Sequence, residues 1–210
     1  MTVIEDARYI AEDAILREMF EERKRVFVDL LKWDVPVLVD RYEIDQFDTE
    51  DAAYLVITGE RGRHRASARL LPTDRPHLLD TVFSGLCEGR PPASPTIMEI
   101  SRFCLSRRLT TSERRVARNK LVTALVDHAL QHGITAYTGV AEMGWFQQII
   151  GFGWDCYPLG ISKSNGSPPI VALRIDITDE TPSQLRETGI YVKSDFRHLS
   201  NLDSSFGRRR

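Results

Sequence analysis

The sequence predicts an α/β domain of the α+β kind, with helices flanking a mostly antiparallel central sheet. Two observations carry this. Helix-period and strand-period apolar patterns follow one another in the order helix, hairpin, strand, helix, strand, helix, strand, strand. The chain also has 210 residues and 42% hydrophobic content, which suits one compact core plus a tail. The expected division is a domain over residues 1–180 and a polar tail over 181–210, disordered at least in part.

The elements are argued in chain order. Over residues 10–32, Ile10, Ala14, Ile15, Met19, Phe20, Arg23 and Phe27 recur with helical periodicity between charged positions. Pro36 and a run of acids break that pattern in VPVLVDRYEIDQFDTED, read as a long loop. Loops of that length in a compact domain are usually functional or disordered. AAYLVIT (52–58) and HRASARLLP (64–72) form a hairpin around the turn GERGR. DTVFSGLC (80–87) is a short helix and EGRPPASPT a Pro-rich loop before the strand IMEISRFCL (97–105). Residues 112–132 form the clearest helix, with Ser112 as cap, Val116, Leu121, Leu125, Ala129 and Leu130 as the buried stripe, and Gly133 as stop. ITAYTGVA (134–141) is a strand and MGWFQQIIGF (143–152) a short helix. WDCYPLG and PIVALRIDI (169–177) are an antiparallel pair around SKSNGSPP.

Composition excludes several classes. A formal net charge of −2 argues against a whole-molecule nucleic-acid binder, so any basic partner surface must be local. The three cysteines, Cys87, Cys104 and Cys156, are odd in number and widely spaced, with neither a metal pattern nor a disulfide framework. The start, MTVIEDARYIAED, alternates charged and apolar residues unlike a secretory signal, and no run approaches the roughly 18 apolar residues of a membrane span. A cytoplasmic protein without metal, membrane or nucleic acid is expected.

The chemistry is suggested by misplaced charge. Glu99 and Arg102 sit in an otherwise apolar strand, and ionised side chains are rarely buried unless paired or at work. By strand alternation Glu99 shares a face with Phe103, while Arg102 points the other way with Ile100, unless a bulge re-aims one of them. The acidic loop EIDQFD adds Asp45 and Asp48, with Glu43 just before them. Arg69 stands in mid-strand, Arg23 on the first helix, and Phe27 and Trp33 near the loop.

In that order and spacing, the stretches RKRVFVDLLKWDV, EIDQFD, ASARLLP and MEISRF resemble the acyl-homoserine-lactone synthases, the autoinducer synthases of bacterial quorum sensing. The likeness covers residues 10 to 175. It implies a fold related to the GCN5-type N-acetyltransferases. It also implies two substrates, S-adenosylmethionine and an acyl thioester on acyl carrier protein or on coenzyme A, with no separate cofactor. By the same resemblance Arg23, Phe27 and Trp33 close over S-adenosylmethionine, Asp45 and Arg102 contact its methionine part, and Phe103 belongs to the same pocket. Asp48, Arg69 and Glu99 would brace the site.

Acyl transfer requires the amine to lose a proton, and a positioned carboxylate is a suitable base, with Glu99 the first candidate and Asp45 the second. The acyl chain needs an apolar cleft, for which Phe83, Met98, Ile100, Leu121, Leu125, Val140, Met143, Trp145, Phe146, Ile149 and Ile150 are candidates. In SRRLTTSERRVARNK (106–120), Arg107, Arg108, Arg114, Arg115, Arg118 and Lys120 face a single acid, Glu113. That patch suits docking of an acidic carrier protein. The competing reading, a plain N-acetyltransferase using acetyl-coenzyme A, calls for a glycine-bearing pyrophosphate turn, and RRLTTSERR contains no glycine.

Overall fold

The structure is a computed structural model. It describes residues 2–4, 14–164, 168–193 and 197–199, with side chains over 14–164 and 168–193. Among the described residues the strands are β1 (Thr2–Ile4), β2 (Val37–Leu38), β3 (Tyr42–Glu43), β4 (Ala53–Thr58), β5 (His64–Pro72), β6 (Ile97–Leu105), β7 (Ala136–Glu142), β8 (Asp155–Pro158), β9 (Ile170–Asp176) and β10 (Arg197–Leu199). The helices are α1 (Ala14–Arg23), α2 (Leu78–Thr81), α3 (Thr111–His132), α4 (Met143–Ile150) and α5 (Thr181–Glu187). The main sheet has eight strands in the order β10-β1-β4-β5-β6-β7-β9-β8, and β2 pairs with β3 in a separate ribbon. Its neighbours are antiparallel except β1 with β10 and β6 with β7.

Strand alternation sorts the core into two layers. Leu55, Ile57, Ala68 and Leu70 meet Leu121, Leu125 and Phe146 of α3 and α4 on one face. Tyr54, Val56 and Leu71 meet Leu16, Met19 and Phe20 of α1 on the other.

Several expectations shift. The first helix ends as α-helix at Arg23 and continues as a π-helical stretch, Lys24–Leu30; residues 10–13 of the expected span lie outside the described ones. Thr110, not Ser112, caps α3, because Glu113 stands three residues beyond it and closes a reciprocal capping box. Val116 and Leu130 are exposed; the buried stripe runs through Ala117, Leu121, Val122, Leu125, Val126 and Ala129. The expected helix 80–87 divides into α2 and a 3₁₀ turn, Ser84–Leu86. The segment expected to be a polar tail begins instead with α5, whose Leu185 joins the core together with Ile190. Residues 200–210 lie outside the described ones. Among the described residues no helix is long and apolar enough to cross a membrane.

The strand β6 answers the question that its charges raise. Its register against β5 slips between Ser67/Cys104 and Arg69/Ser101, so β6 holds one extra residue there. Arg102 takes a left-handed backbone conformation, φ 50°, at this bulge. The bulge turns Arg102 onto the α1 side of the sheet. Phe103 is turned to the α3 side, where it packs against the large core. Of the two arrangements the sequence leaves open, strict alternation or a bulge that re-aims a charge, the structure has the bulge.

Candidate active site

Between α1 and the sheet, six charged side chains close a ring of alternating sign. Arg23 pairs with Glu43 through Nε at 2.5 Å and donates two hydrogen bonds of 2.8 Å to the Asp48 carboxylate. Asp48 also meets Arg69 at 2.9 Å. Arg69 grips Asp45 with two bonds, 2.6 and 3.1 Å. Asp45 meets Arg102 at 2.7 Å, and Arg102 returns to Glu43 at 3.0 Å. Three guanidinium groups and three carboxylates therefore balance, and the short two-pronged contacts are the strong kind.

Local structure explains how such distant residues meet. Arg23 is the last residue of α1, Glu43 ends the β2–β3 ribbon, and Asp45 and Asp48 lie in the turn after it. That turn is held by Asp45 and Asp48 themselves, which accept from the backbone N–H groups of Phe47 and Asp45. Tyr54 donates its hydroxyl proton to Asp48 at 2.7 Å, and Arg69 donates through Nε to Ser101 Oγ at 2.9 Å. Burial acts to raise the Asp48 pKa, but the charge and hydrogen bonds of Arg23, with Arg69 beyond, hold it below the ordinary carboxylate range. In the sequence Glu43 stands only as a neighbour of the aspartates, and its place in the same acidic run is its one signal.

The ring opens at one edge. Side-chain exposure is 8% at Arg102 and 5% at Asp45, but no more than 1% at the other four members. Above that edge Phe27 and Trp33 stack at 4.8 Å, and the Arg102 guanidinium lies 5.6 and 5.8 Å from their ring centres. Trp33 is 37% exposed, so an aromatic wall stands between the charged edge and solvent.

Glu99 is not a ring member. It is buried on the same sheet face, and its two oxygens accept from the backbone N–H groups of Leu78 and Leu79 at 2.8 and 2.9 Å. Burial raises its pKa, against the opposing pull of His77 and those two amides. Two buried polar atoms without partners lie nearby: Nε2 of His77, the residue preceding α2, and Oγ1 of Thr138, the register partner of Glu99.

Beside β6 the sheet splays. The parallel pairing of β6 with β7 runs from Ile97/Ala136 to Ile100/Gly139 and stops. A Cβ on Gly139 would stand 3.0 Å from the Ile100 carbonyl oxygen, so glycine permits the close approach just before the strands part. The apolar candidates divide around this point. Met98, Ile100, Met143 and Trp145 are half-buried against the large core, while Leu121, Leu125, Phe146 and Ile149 are buried within it. Ile150 is exposed. Phe83 and Val140 lie instead on the α2 side with Leu79 and Leu86. A cavity of about 410 Å³ opens there between Phe83, Leu86, Lys163 and Ile170, and none of its lining residues belongs to the ring.

The basic segment divides likewise. Arg108 reaches Glu18 at 2.8 Å and Glu22 at 3.3 Å. Arg114 donates to the carbonyl oxygens of Leu105 and Ser106, and Arg118 lies over Phe152 at 5.0 Å. Arg107 and Arg115 are exposed and Lys120 half-buried.

A mixed sheet that splays between two parallel central strands, with helices on both faces, is the frame of GCN5-type acyltransferases. A putative N-acetyltransferase from Lactobacillus plantarum shares the fold at a TM-score of 0.56 and 18% identity, over 84% of this chain and 97% of that one. The finer match is to the model of the autoinducer synthases, which spans residues 7–185, and the chain belongs to that family of acyltransferases. It is 33% identical over 187 residues to an acyl-homoserine-lactone synthase of Ralstonia nicotianae, covering 86% of this chain and 91% of that protein. It superposes with a TM-score of 0.83 and 25% identity on the coenzyme-A-dependent acyl-homoserine lactone synthase BjaI, over 94% and 92% of the two chains. BjaI has been solved with MTA, and with SAM and isopentyl-CoA.

Proposed function

We propose that the protein makes an N-acyl-L-homoserine lactone from S-adenosylmethionine and an acyl thioester carried by coenzyme A or by an acyl carrier protein. The observation that carries this reading is the ring's one accessible edge. There, Asp45 and Arg102 present one carboxylate and one guanidinium under the Phe27–Trp33 stack. The methionine part of the substrate is a zwitterion and its sulfonium is a cation. Its ammonium fits Asp45, its carboxylate fits Arg102, and an aromatic face suits the sulfonium. Arg23, Glu43, Asp48 and Arg69 hold that edge in register without touching the substrate. Phe103 leaves this pocket, since the bulge turns it to the α3 side.

In the first step the ammonium gives up a proton, and its nitrogen then attacks the thioester carbonyl carbon. An amide bond forms, the carbon–sulfur bond breaks, and the thiol of the carrier departs. Glu99 suits the role of base, because burial brings its affinity for a proton toward neutral pH. Asp45, fastened by two arginines, suits it less. Backbone N–H groups freed where β6 and β7 part suit the developing oxyanion. In the second step the methionine carboxylate attacks its own γ-carbon, the sulfonium leaves as methylthioadenosine, and the lactone closes. Holding both ends of one substrate supplies much of that rate.

The test is to incubate the protein with S-adenosylmethionine and parallel panels of acyl-coenzyme A and acyl-carrier-protein thioesters, reading products by mass spectrometry. Acyl lactone with equimolar methylthioadenosine is expected. An acylated amine without methylthioadenosine would overturn the reading in favour of a plain N-acyltransferase.

A further inference from the structure

We infer that Phe103 and Trp145 form an aromatic gate across the sheet splay that restricts the donor to short acyl groups, such as isovaleryl or hexanoyl, and rejects long straight chains. The inference rests on the proposed lactone synthesis and adds to it the substrate class. Phe103 lies on β6 beyond the last residue paired with β7, and Trp145 lies on α4, which begins where β7 ends. Their rings meet at 5.4 Å with a 48° tilt, so the two arms of the splay are bridged by side chains where backbone pairing has ceased.

The bridge has no slack behind it. Trp145 is backed by Phe152 at 5.8 Å, edge to face, and Phe152 by Trp154 at 5.8 Å. Arg118 lies on the Phe152 ring at 5.0 Å, and the Trp154 indole N–H donates to the Ile149 carbonyl at 2.9 Å. Leu121 and Leu125, fully buried, fill the layer beyond. A long chain entering here must displace an indole that is held by its neighbours, and a core at crystalline density does not yield that space cheaply. A short or branched chain ends against the aromatic faces. Phe103 and Trp145 are both half-buried, unlike the fully buried Leu121 and Leu125 behind them.

The experiment measures kcat/KM for isovaleryl, hexanoyl and decanoyl thioesters, offered on coenzyme A and on acyl carrier protein, in the parent protein, Trp145→Ala and Phe103→Leu. The parent is expected to prefer isovaleryl or hexanoyl over decanoyl by at least about tenfold. Trp145→Ala is expected to raise the decanoyl-to-isovaleryl ratio by at least about tenfold, with Phe103→Leu moving it the same way by less. A parent that uses decanoyl as well as isovaleryl overturns the inference while leaving lactone synthesis intact. So does a ratio unmoved in both variants. Absence of lactone from every donor with the parent protein would instead overturn the proposed function. Should Trp145→Ala fail to fold, the parent's own preference and Phe103→Leu decide the matter.

Discussion

Replacing Glu43 by Gln is the sharpest test of the ring, because it deletes one charge and almost no volume. Glu43 is fully buried and touches both Arg23 and Arg102. At an effective dielectric near 20, each such contact is worth about 4 kcal/mol of attraction. Against the loss of two stands the cost of burying the carboxylate, several kcal/mol, which Gln does not incur. Arg23 keeps Asp48 and Arg102 keeps Asp45, so the uncompensated charge is shared. The expected net loss is about 3 kcal/mol, at the lower end for a broken buried pair. In a chain of this size that lowers Tm by about 6–12 °C. Thermal unfolding monitored by circular dichroism, checked by urea titration, measures it. High salt should change the difference little, since the pairs are shielded from solvent. Adding Arg102→Gln restores neutrality, and the double variant should be more stable than the sum of the singles by about 1–2 kcal/mol. If Glu43→Gln lies within about 0.5 kcal/mol of the parent, the ring is not the structural brace described here.

Glu99→Gln is expected to cut kcat by about 10²–10⁴ and to abolish the rising limb of the kcat/KM pH profile; an unchanged profile assigns the base elsewhere. His64 is buried against Ser67, and burial depresses its pKa from 6.5 to about 4. The unfolded chain thus binds more protons between those values. The stability held above pH 6.5 should drain away toward pH 4, by about 3 kcal/mol in all, and His64→Gln should flatten that slope in pH-dependent urea unfolding. Arg107→Glu with Arg115→Glu should raise KM for an acyl-carrier-protein donor several-fold and leave Tm within a few degrees, whereas Arg114→Glu should lower Tm because it strips two carbonyl oxygens of their donor; equal Tm values would reject the distinction. Decarboxylated S-adenosylmethionine should bind at least about 100-fold more weakly than the parent ligand in calorimetry, as it sets the ligand ammonium against Arg102 with no carboxylate between them.

Strong local pattern made much of this legible in the sequence. The limits of β5 and β6 are those that apolar runs and turn residues mark. Arg69 and Arg102, charges set in apolar strands, do meet Asp45 and Asp48 of the acidic loop and, through Asp48, Arg23 of the first helix, whereas Glu99, the other misplaced charge, stays outside the ring. Tertiary context decided what was missed. One extra residue in β6 inverts the faces of Arg102 and Phe103; the sequence leaves strict alternation and a bulge both open there, because no residue type announces a bulge. In α5, TPSQLRE reads as tail because Leu185 supplies nearly all of its apolar anchor, and only docking against α3 makes that one side chain sufficient. Arg108, Arg114 and Arg118 look like a free basic face in sequence because their partners lie on α1, β6 and beyond α4.

The ring's neutrality bears on why the substrate should be an amino acid at all. Three cations and three anions in strict alternation leave no surplus charge to attract a simple anion or cation. A carboxylate alone inserted at the Asp45–Arg102 edge would separate that pair and leave Asp45 against a like charge; an ammonium alone would do the same to Arg102. A zwitterion inserted there in the right sense extends the alternation from six members to eight, and every buried charge keeps two opposite neighbours. The same step ties the Phe27–Trp33 wall to the ligand. Arg23 closes the ring from the end of α1, and Phe27 lies four residues further along the continuing helix, over Arg102. Occupation of the edge by a zwitterion therefore secures the aromatic wall through the charges beneath it, with no hinge required.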